Sequence, residues 1–474
     1  MTAAPPARRL AAPRPGVVHL GLGAFFRAHG ALYLQEAMAA SGGDWGVIGV
    51  SLQRPDQRDR LTPQDCVYTV VEKGPDGDRL TTVESVIDVL VGPESPEAVL
   101  AAMADPRIRI VTLTVTEKGY RHVPATGALN RADPDVAHDV AHPEAPRTAP
   151  GYLVAALARR RAAGLRPFTV LCCDNLPKNG ATVRGVVLEL ARAVDPGLAD
   201  WIAAEGAFPS TMVDRIVPAT KPEDIAALAA RGIDDAAPVI AEPFRQWVVE
   251  DRFVDGARPD LGAVGAQLVA DVEPFERMKL RMLNGAHSAL AYLGYLSGHA
   301  TIFEAMSDPA LGRFAQRLWA EEIAPTVPAP PGADLAAYAA ALRARFLNPA
   351  IRHLTWQIAM DGSQKLPQRL MGTARDLLAA GRRLDRVATA TAAWMRYATG
   401  VDLTGAPIDV RDPLAERLRG LADPDPAAQA AKMLGVAEVF GTDLPADPRF
   451  ASAVAAAARR LAEGGVPAAL AAVA

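Results

Sequence analysis

The sequence predicts an α/β protein: an N-terminal Rossmann-type doubly wound sheet followed by a mainly α-helical C-terminal domain. Three observations predict it. Short Val/Ile/Thr-rich runs alternate with helix-period stretches through the first half of the chain, the pattern of an open, mostly parallel sheet covered by helices. The first of these runs leads straight into a Gly-X-Gly turn. After about Asp271 the pattern changes to Ala-, Leu- and Arg-rich helical periodicity broken by prolines. A chain of 474 residues, half of them apolar, exceeds one ordinary core. The expected division is residues 1–273, with 1–15 as a loose arm, and residues 274–474.

The elements follow in order. Val17-Val18-His19-Leu20 reads as a buried strand, and residues 29–40 carry helical period. A second strand is expected over 45–52. Residues 67–71 and 80–83 flank the turn Gly74-Pro75-Asp76-Gly77 and predict a hairpin. Strands follow over 108–115 and 168–173, with a helix over 151–163 between them. In the second domain, helices are expected over 311–320, 335–346, 377–399 and 451–462.

Composition removes several function classes. Net charge is -4 with 22% charged residues, so there is no electrostatic footprint for nucleic acid or for a membrane surface. No run of about 18 apolar residues occurs. The start, MTAAPPARRLAAPRPG, lacks the long apolar stretch of a secretory leader, and a cytoplasmic location is expected. Cys66, Cys172 and Cys173 are the three cysteines. They form no CxxC or Cys/His cluster, so neither a disulfide framework nor a structural zinc is expected. The adjacent pair reads as packing, since no base accompanies it.

The turn Gly21-Leu22-Gly23 sits between a strand and a helix. Gly21 permits a tight turn, and Gly23 permits backbone to approach a pyrophosphate. Phe26 stands where a third glycine is usual. The expected cofactor segment is Val18, His19, Leu20, Gly21, Leu22, Gly23, Ala24, Phe25, Phe26, Arg27, Ala28 and His29. Arg27 and His29 read as phosphate contacts or as solvated capping residues, and His29 taken alone favours the cap. The second strand ends Ser51-Leu52-Gln53-Arg54 with Asp56 as the nearest acid. NAD is the expected cofactor, with NADP left open, because an arginine here tolerates a 2′-phosphate.

The segment Lys279-Leu280-Arg281-Met282-Leu283-Asn284-Gly285-Ala286-His287 lies at the seam of the two expected domains, where clefts form. On an α-helix, Lys279 to Asn284 is about 140° and Lys279 to His287 about 80°, so all three can point into one cleft, with Asn284 and His287 as i, i+3 neighbours. Interconverting an alcohol and a ketone needs a group that takes or gives the hydroxyl proton. A lysine does so once its pKa falls from about 10.4 to about 7–8. Asn284 would donate to the developing alkoxide, and His287 would hold a neighbouring hydroxyl. A solvated lysine, a capping asparagine and a satisfied core histidine fit the same residues. Asn175, in Cys172-Cys173-Asp174-Asn175-Leu176-Pro177, lies past a strand end, where ligands of such sheets sit. It fits a second amide donor and an Asx turn equally well.

The sequence resembles the polyol-specific long-chain dehydrogenases, the mannitol dehydrogenase and fructuronate reductase group. The resemblance is carried by GLGAFFRAH, TVTEKGY, CDNLPKNG, FPSTMVDRIVPAT, EPFRQWVVED, KLRMLNGAH and TWQIAMDGSQKLPQR, which together span nearly the whole chain. Its wording is closest to the fructuronate reductase (mannonate oxidoreductase) branch. The resemblance implies a metal-independent NAD-linked enzyme with its active site between the domains. It implies Lys279 as general acid/base, Asn175 and Asn284 as alkoxide stabilisers, His287 as a positioning group, and Asp214 and Lys365 as substrate contacts. Mannitol-type members carry an arginine eight residues before the lysine matching Lys365; this chain has Gln357. That departure favours a sugar acid, D-fructuronate to D-mannonate, over mannitol or another polyol. A sugar acid needs a cation for its carboxylate, and Lys365, Arg245 and Arg369 all qualify. A catalytically inactive relative that binds nucleotide or sugar acid is the reading from another class. The expected partner is a small molecule, with no nucleic acid and no membrane.

Overall fold

The computed structural model describes residues 3–9, 11–123 and 126–474. It divides into two compact units, residues 1–273 and 274–474.

Unit 1 is organised on a five-stranded parallel sheet. Its strands are β1 (Pro15–Leu20), β2 (Gly46–Ser51), β5 (Val86–Val91), β6 (Ile110–Leu113) and β7 (Thr169–Cys172), in the order β5-β2-β1-β6-β7. Every pairing is parallel. The apolar runs expected for these strands are buried on both faces, as a covered parallel sheet requires: Val17, Val18 and Leu20 are all in the core. Between β2 and β5 the chain inserts the hairpin β3 (Tyr68–Gly74) and β4 (Gly77–Val83), which pair antiparallel around Gly77 at φ +118°. The strand β9 (Val239–Ala241) joins β3 in parallel. A third sheet, in the order β11-β10-β8, holds β8 (Thr211–Asp214), β10 (Gln246–Glu250) and β11 (Gln267–Val269).

The N-terminal arm differs from its expectation. Arg8 donates to the Asp65 carboxylate and to the carbonyls of Asp65 and Val86, while Ala4 exchanges backbone hydrogen bonds with Gly232 and Asp234. The arm's described residues are therefore pinned to unit 1. Its Pro/Ala/Arg composition looked loose because its partners lie far along the chain.

Unit 2 is helical around one core containing Met282, Leu290, Trp319, Leu370 and Trp394. The helix expected over 335–346 is Leu335–Phe346, capped by the Asp334 carboxylate. The helix expected over 377–399 is two, Gly372–Ala379 and Asp385–Ala398. Gly381, at φ +63°, turns the chain between them. Three helical stretches carry π turns: Lys279–Gly285, Leu318–Ile323 and Pro367–Met371. No helix among the described residues is long and apolar enough to cross a membrane.

His19 and His29 are buried in unit 1, and burial pushes both imidazoles down to about 3. Unfolded, each titrates near about 6.5. Between these values the unfolded chain binds more protons, so stability falls as pH falls through that window. Acidification from pH 6.5 to pH 5 is expected to cost about 2 kcal/mol for each of the two. Denaturant unfolding at the two pH values checks this, and His29→Gln should lose its share of the pH dependence.

Candidate active site

In unit 1, a cleft of about 1040 Å³ opens at the carboxyl ends of the parallel strands, where open α/β sheets take their ligands. Its walls include Gly21–Gly23 after β1, Ser51–Arg54 after β2 and Thr114–Thr116 after β6. Gly21 has φ +90°, and a Cβ there would collide with the Thr114 carbonyl oxygen. This turn therefore demands glycine. Gly23 differs: a Cβ would meet nothing nearer than the Gly21 oxygen at 3.7 Å. Its bareness leaves the cleft wall open and serves no protein contact.

The remaining residues of the expected cofactor segment hold this turn in place. His19 joins Thr112 Oγ1 at 2.8 Å and Thr114 Oγ1 at 2.9 Å, tying β1 to β6. Its ring stacks on Phe26 with centroids 3.5 Å apart. A Cβ on Gly30 would lie 2.6 Å from the Phe26 ring. Close packing under the turn is thus achieved by Phe26 against Gly30, which accounts for the missing third glycine. Val18, Leu20 and Ala28 are core residues, Leu22 is buried beside Gly49, and Ala24 and Phe25 pack at the core's edge. Arg27 and His29 are buried rather than solvated. Arg27 donates to the Ala237 carbonyl at 2.6 Å and lies over the Tyr68 ring. His29 Nε2 meets the Gln246 carbonyl at 2.9 Å.

Beyond β2, Arg54 and Asp56 lie 3.7 Å apart, both exposed, on the cleft wall. Asp56 is thus the nearest acid past the strand on this wall, and it is paired with a cation. A dinucleotide fits the size, the bare glycine wall and the polar rim of this cleft.

Asn175 sits on an exposed bend after β7, between two anchors. Asp174 accepts from the Val115 and Thr116 amides at 2.8 and 3.2 Å and from Tyr120 Oη at 2.6 Å. Tyr120 also reaches Cys172 Sγ at 3.0 Å. Burial raises the pKa of the Asp174 carboxyl and pushes the Tyr120 phenol far up. Asn179 donates to the carbonyls of Cys172, Asp174 and Thr211. Sequence reasoning passed over Asp174, Tyr120 and Asn179, although all three stand inside the quoted motifs. Cys172 and Cys173 are buried, with thiol pKa values raised by burial, as packing residues should be. Asp214 ends β8, buried and opposite Gln246. Arg245 pairs with Glu36 and lies 4.4 Å from the Tyr33 ring centre.

In unit 2, Lys279 and Asn284 fall within one π turn, Lys279–Gly285. Such a turn closes its hydrogen bonds from residue i to i+5, which is the spacing of these two residues. The turn between the two residues therefore differs from the about 140° of a regular α-helix. Trp319 Nε1 donates to the Met282 carbonyl at 2.8 Å, satisfying an acceptor inside the turn. Lys279 is 7% exposed.

His287 follows on the next helix, Ala286–Leu296. Its ring stacks on Phe346 at 5.0 Å and meets His353 edge-on at 4.6 Å. Burial holds it well below its ordinary range. Lys365 donates its ammonium to the Ile358 and Met360 carbonyls, and Gln357 is exposed nearby in sequence on Thr355–Ala359. The structure thus groups Lys279 with Asn284, and His287 with Lys365, within unit 2. It places Asn175 and Asp214 in unit 1. Among the described residues no cluster of three His, Cys, Asp or Glu side chains has metal-site geometry.

Residues 15–262 match the family model for the mannitol dehydrogenase Rossmann domain, and residues 271–462 match that for the mannitol dehydrogenase C-terminal domain. The D-mannonate oxidoreductase of Escherichia coli K12 is 49% identical over 95% of this chain and 93% of its own length. The mannitol 2-dehydrogenase of Pyrenophora tritici-repentis is 44% identical over 92% of this chain and 78% of its own. Among solved structures, the Pseudomonas fluorescens mannitol 2-dehydrogenase, in ternary complex with NAD and D-mannitol, superposes with a TM-score of 0.89. It is 40% identical, and the match covers 99% of this chain and 96% of that one.

The two glycines should separate in experiment. Gly23→Ala is expected to weaken NADH binding by about tenfold or more, with an unchanged melting temperature, because its Cβ enters only the cleft. Gly21→Ala should lower the melting temperature as well, since its backbone conformation and Thr114 both oppose a side chain. Fluorescence titration with NADH and thermal unfolding of each variant check both.

Proposed function

Since the chain belongs to the mannitol dehydrogenase family, we propose that it is an NAD-dependent oxidoreductase of open-chain sugar acids or polyols, and that its substrate pair is D-fructuronate and D-mannonate. The observation that supports the reading is the π turn that contains both Lys279 and Asn284. The 49% identity to a D-mannonate oxidoreductase and Gln357 in place of the mannitol-type arginine support the sugar acid over the polyol.

The cleft residues Gly21, Leu22 and Gly23 would hold the pyrophosphate, and the nicotinamide, when bound, supplies or accepts the hydride. The chain's own groups handle the proton and the charge. In the reducing direction Lys279 gives a proton to the carbonyl oxygen as that oxygen gains electrons; in the oxidising direction it takes the proton back. Asn284 and Asn175 are proposed as amide donors that stabilise the alkoxide, and such donors act most strongly when charge develops there. His287, neutral through burial, presents an imidazole to a substrate hydroxyl without competing for the proton. Asp214 and Lys365 bind further hydroxyls. Leaving Asp56 paired with Arg54 beside the adenosine ribose fits NAD and leaves room for NADP.

Polyol oxidation is the competing reading, supported by the 44% and 40% identity to mannitol 2-dehydrogenases. A panel of D-fructuronate, D-fructose, D-mannonate and D-mannitol, followed by NADH and NADPH absorbance, decides between them. A kcat/KM at least tenfold higher on fructuronate than on fructose is expected; the reverse order would overturn the sugar-acid reading. Lys279→Ala should lower kcat by about 10²-fold or more with NADH affinity nearly unchanged. Asn284→Ala should lower kcat by a comparable factor; a rise in KM alone would make it a positioning group.

A further inference from the structure

Just past β6 the chain adopts a backbone that its sequence does not favour. Thr116 has φ +65° and ψ 164°, a region essentially reserved for glycine. The residue is exposed, so burial of its own side chain does not hold it there. Its amide is held by the Asp174 carboxylate. Oδ1 accepts from the Thr116 amide at 3.2 Å, while Oδ2 accepts from the Val115 amide at 2.8 Å and from Tyr120 Oη at 2.6 Å. Among the described residues no cation pairs with this carboxylate. Its orientation is therefore set by three donors that all come from residues 115–120.

Those donors belong to a closely seated segment. Thr114, Val115 and Thr116 form one wall of the cleft in unit 1. Thr114 Oγ1 donates to the Gly21 carbonyl at 3.0 Å and meets His19 Nε2 at 2.9 Å. A Cβ on Gly21 would lie 3.1 Å from the Val115 side chain, and one on Gly119 would lie 2.8 Å from it. Val115 is thus wedged between two glycines. The wall has one seat, and it shares that seat with the turn Gly21–Gly23.

Asp174 is also the residue directly before Asn175. On the far side of the same bend, Asn179 donates to the carbonyls of Cys172, Asp174 and Thr211 and fixes the end of β7. One peptide bond therefore separates the group that grips the cleft wall from Asn175. We propose that Asp174 is a positioning residue for the reaction: its carboxylate takes the placement of the Val115–Thr116 wall and passes it to Asn175, an assignment that rests on the reading of Asn175 as an alkoxide donor. The wall that borders the cofactor then also sets the amide that meets the substrate oxygen. A clamp that served folding alone would act on stability, and its effect on turnover would not depend on Asn175. Positioning makes the two residues act as one unit.

The test is a double-mutant cycle in the full-length enzyme, with NADH and whichever of D-fructuronate and D-fructose the wild type turns over faster. Asn175→Ala should lower kcat by about 10²-fold. Asp174→Asn keeps the shape of the side chain but sets an N–H against one of the three donors. It should lower kcat by about tenfold and leave the KM of the keto substrate within about threefold of wild type. In the Asn175→Ala enzyme the same change should cost less than about twofold, because residues that act through one another do not add. A kcat that Asp174→Asn does not move, equal losses in the two backgrounds, or a loss carried by KM alone would each overturn the positioning role while leaving the function standing. A wild-type kcat in Asn175→Ala would instead remove Asn175 from the mechanism, and the positioning role with it. If Asp174→Asn does not fold, Tyr120→Phe takes its place in the cycle, since it removes one donor from the same carboxylate. A fall in kcat of about threefold that disappears without Asn175 supports the role; an unmoved kcat, or a fall that persists without Asn175, overturns it.

Discussion

The proposed chemistry of this protein depends on one departure from regular helical geometry. A π turn at Lys279–Gly285 puts one extra residue into the helix, and Lys279 and Asn284 stand at its i, i+5 spacing. π turns are rare and recur at functional sites, because they disrupt the backbone ladder and must be compensated locally. Here the compensation is visible. Trp319 donates to the Met282 carbonyl within the turn, and Gly285 lets the Arg369 backbone approach where any side chain would intrude. The Trp319 indole and the Arg369 backbone come from two further π turns. The three irregular turns thus brace one another inside unit 2.

Unit 1 follows a different logic, in which buried and half-buried polar groups fix a backbone. His19 spans β1 and β6 through two threonine hydroxyls. Asp174 clamps the amides of Val115 and Thr116, and Tyr120 closes that network on Cys172. Asn179 gathers three carbonyls behind the bend that carries Asn175. None of these side chains needs to touch a ligand. Each holds a turn or strand end that borders the cleft, which is how a parallel sheet presents loops accurately at its carboxyl edge.

Much of this architecture was legible in the sequence. The buried runs of β1, β6 and β7, the β3–β4 hairpin and the change of pattern near residue 271 all follow from periodicity and turn chemistry. What was not legible has common causes. The π turns are silent because Leu280, Leu283, Ala286 and Leu290 keep an amphipathic spacing whether or not a residue is inserted. The break at Gly381 was read through because apolar period resumes on its far side. Phe26 looked like a damaged glycine motif, since its compensating partner is Gly30, four residues on. Arg27 and His29 looked solvated, yet their partners, Ala237 and Gln246, are more than two hundred residues away. Asp174 and Tyr120 were hidden for the same reason: a buried network becomes chemistry only when the strands that carry it are side by side.

In the proposed mechanism the amine of Lys279 moves the proton at the reacting oxygen. Chemical rescue measures it most directly. Lys279→Ala enzyme, saturated with NADH and fructuronate, is assayed with a series of small primary amines of graded basicity. Turnover is expected to return in proportion to amine concentration and to vary systematically with amine pKa, as a transferred proton requires. Turnover that ignores every amine, with the pH dependence of the wild type preserved in the variant, would contradict it.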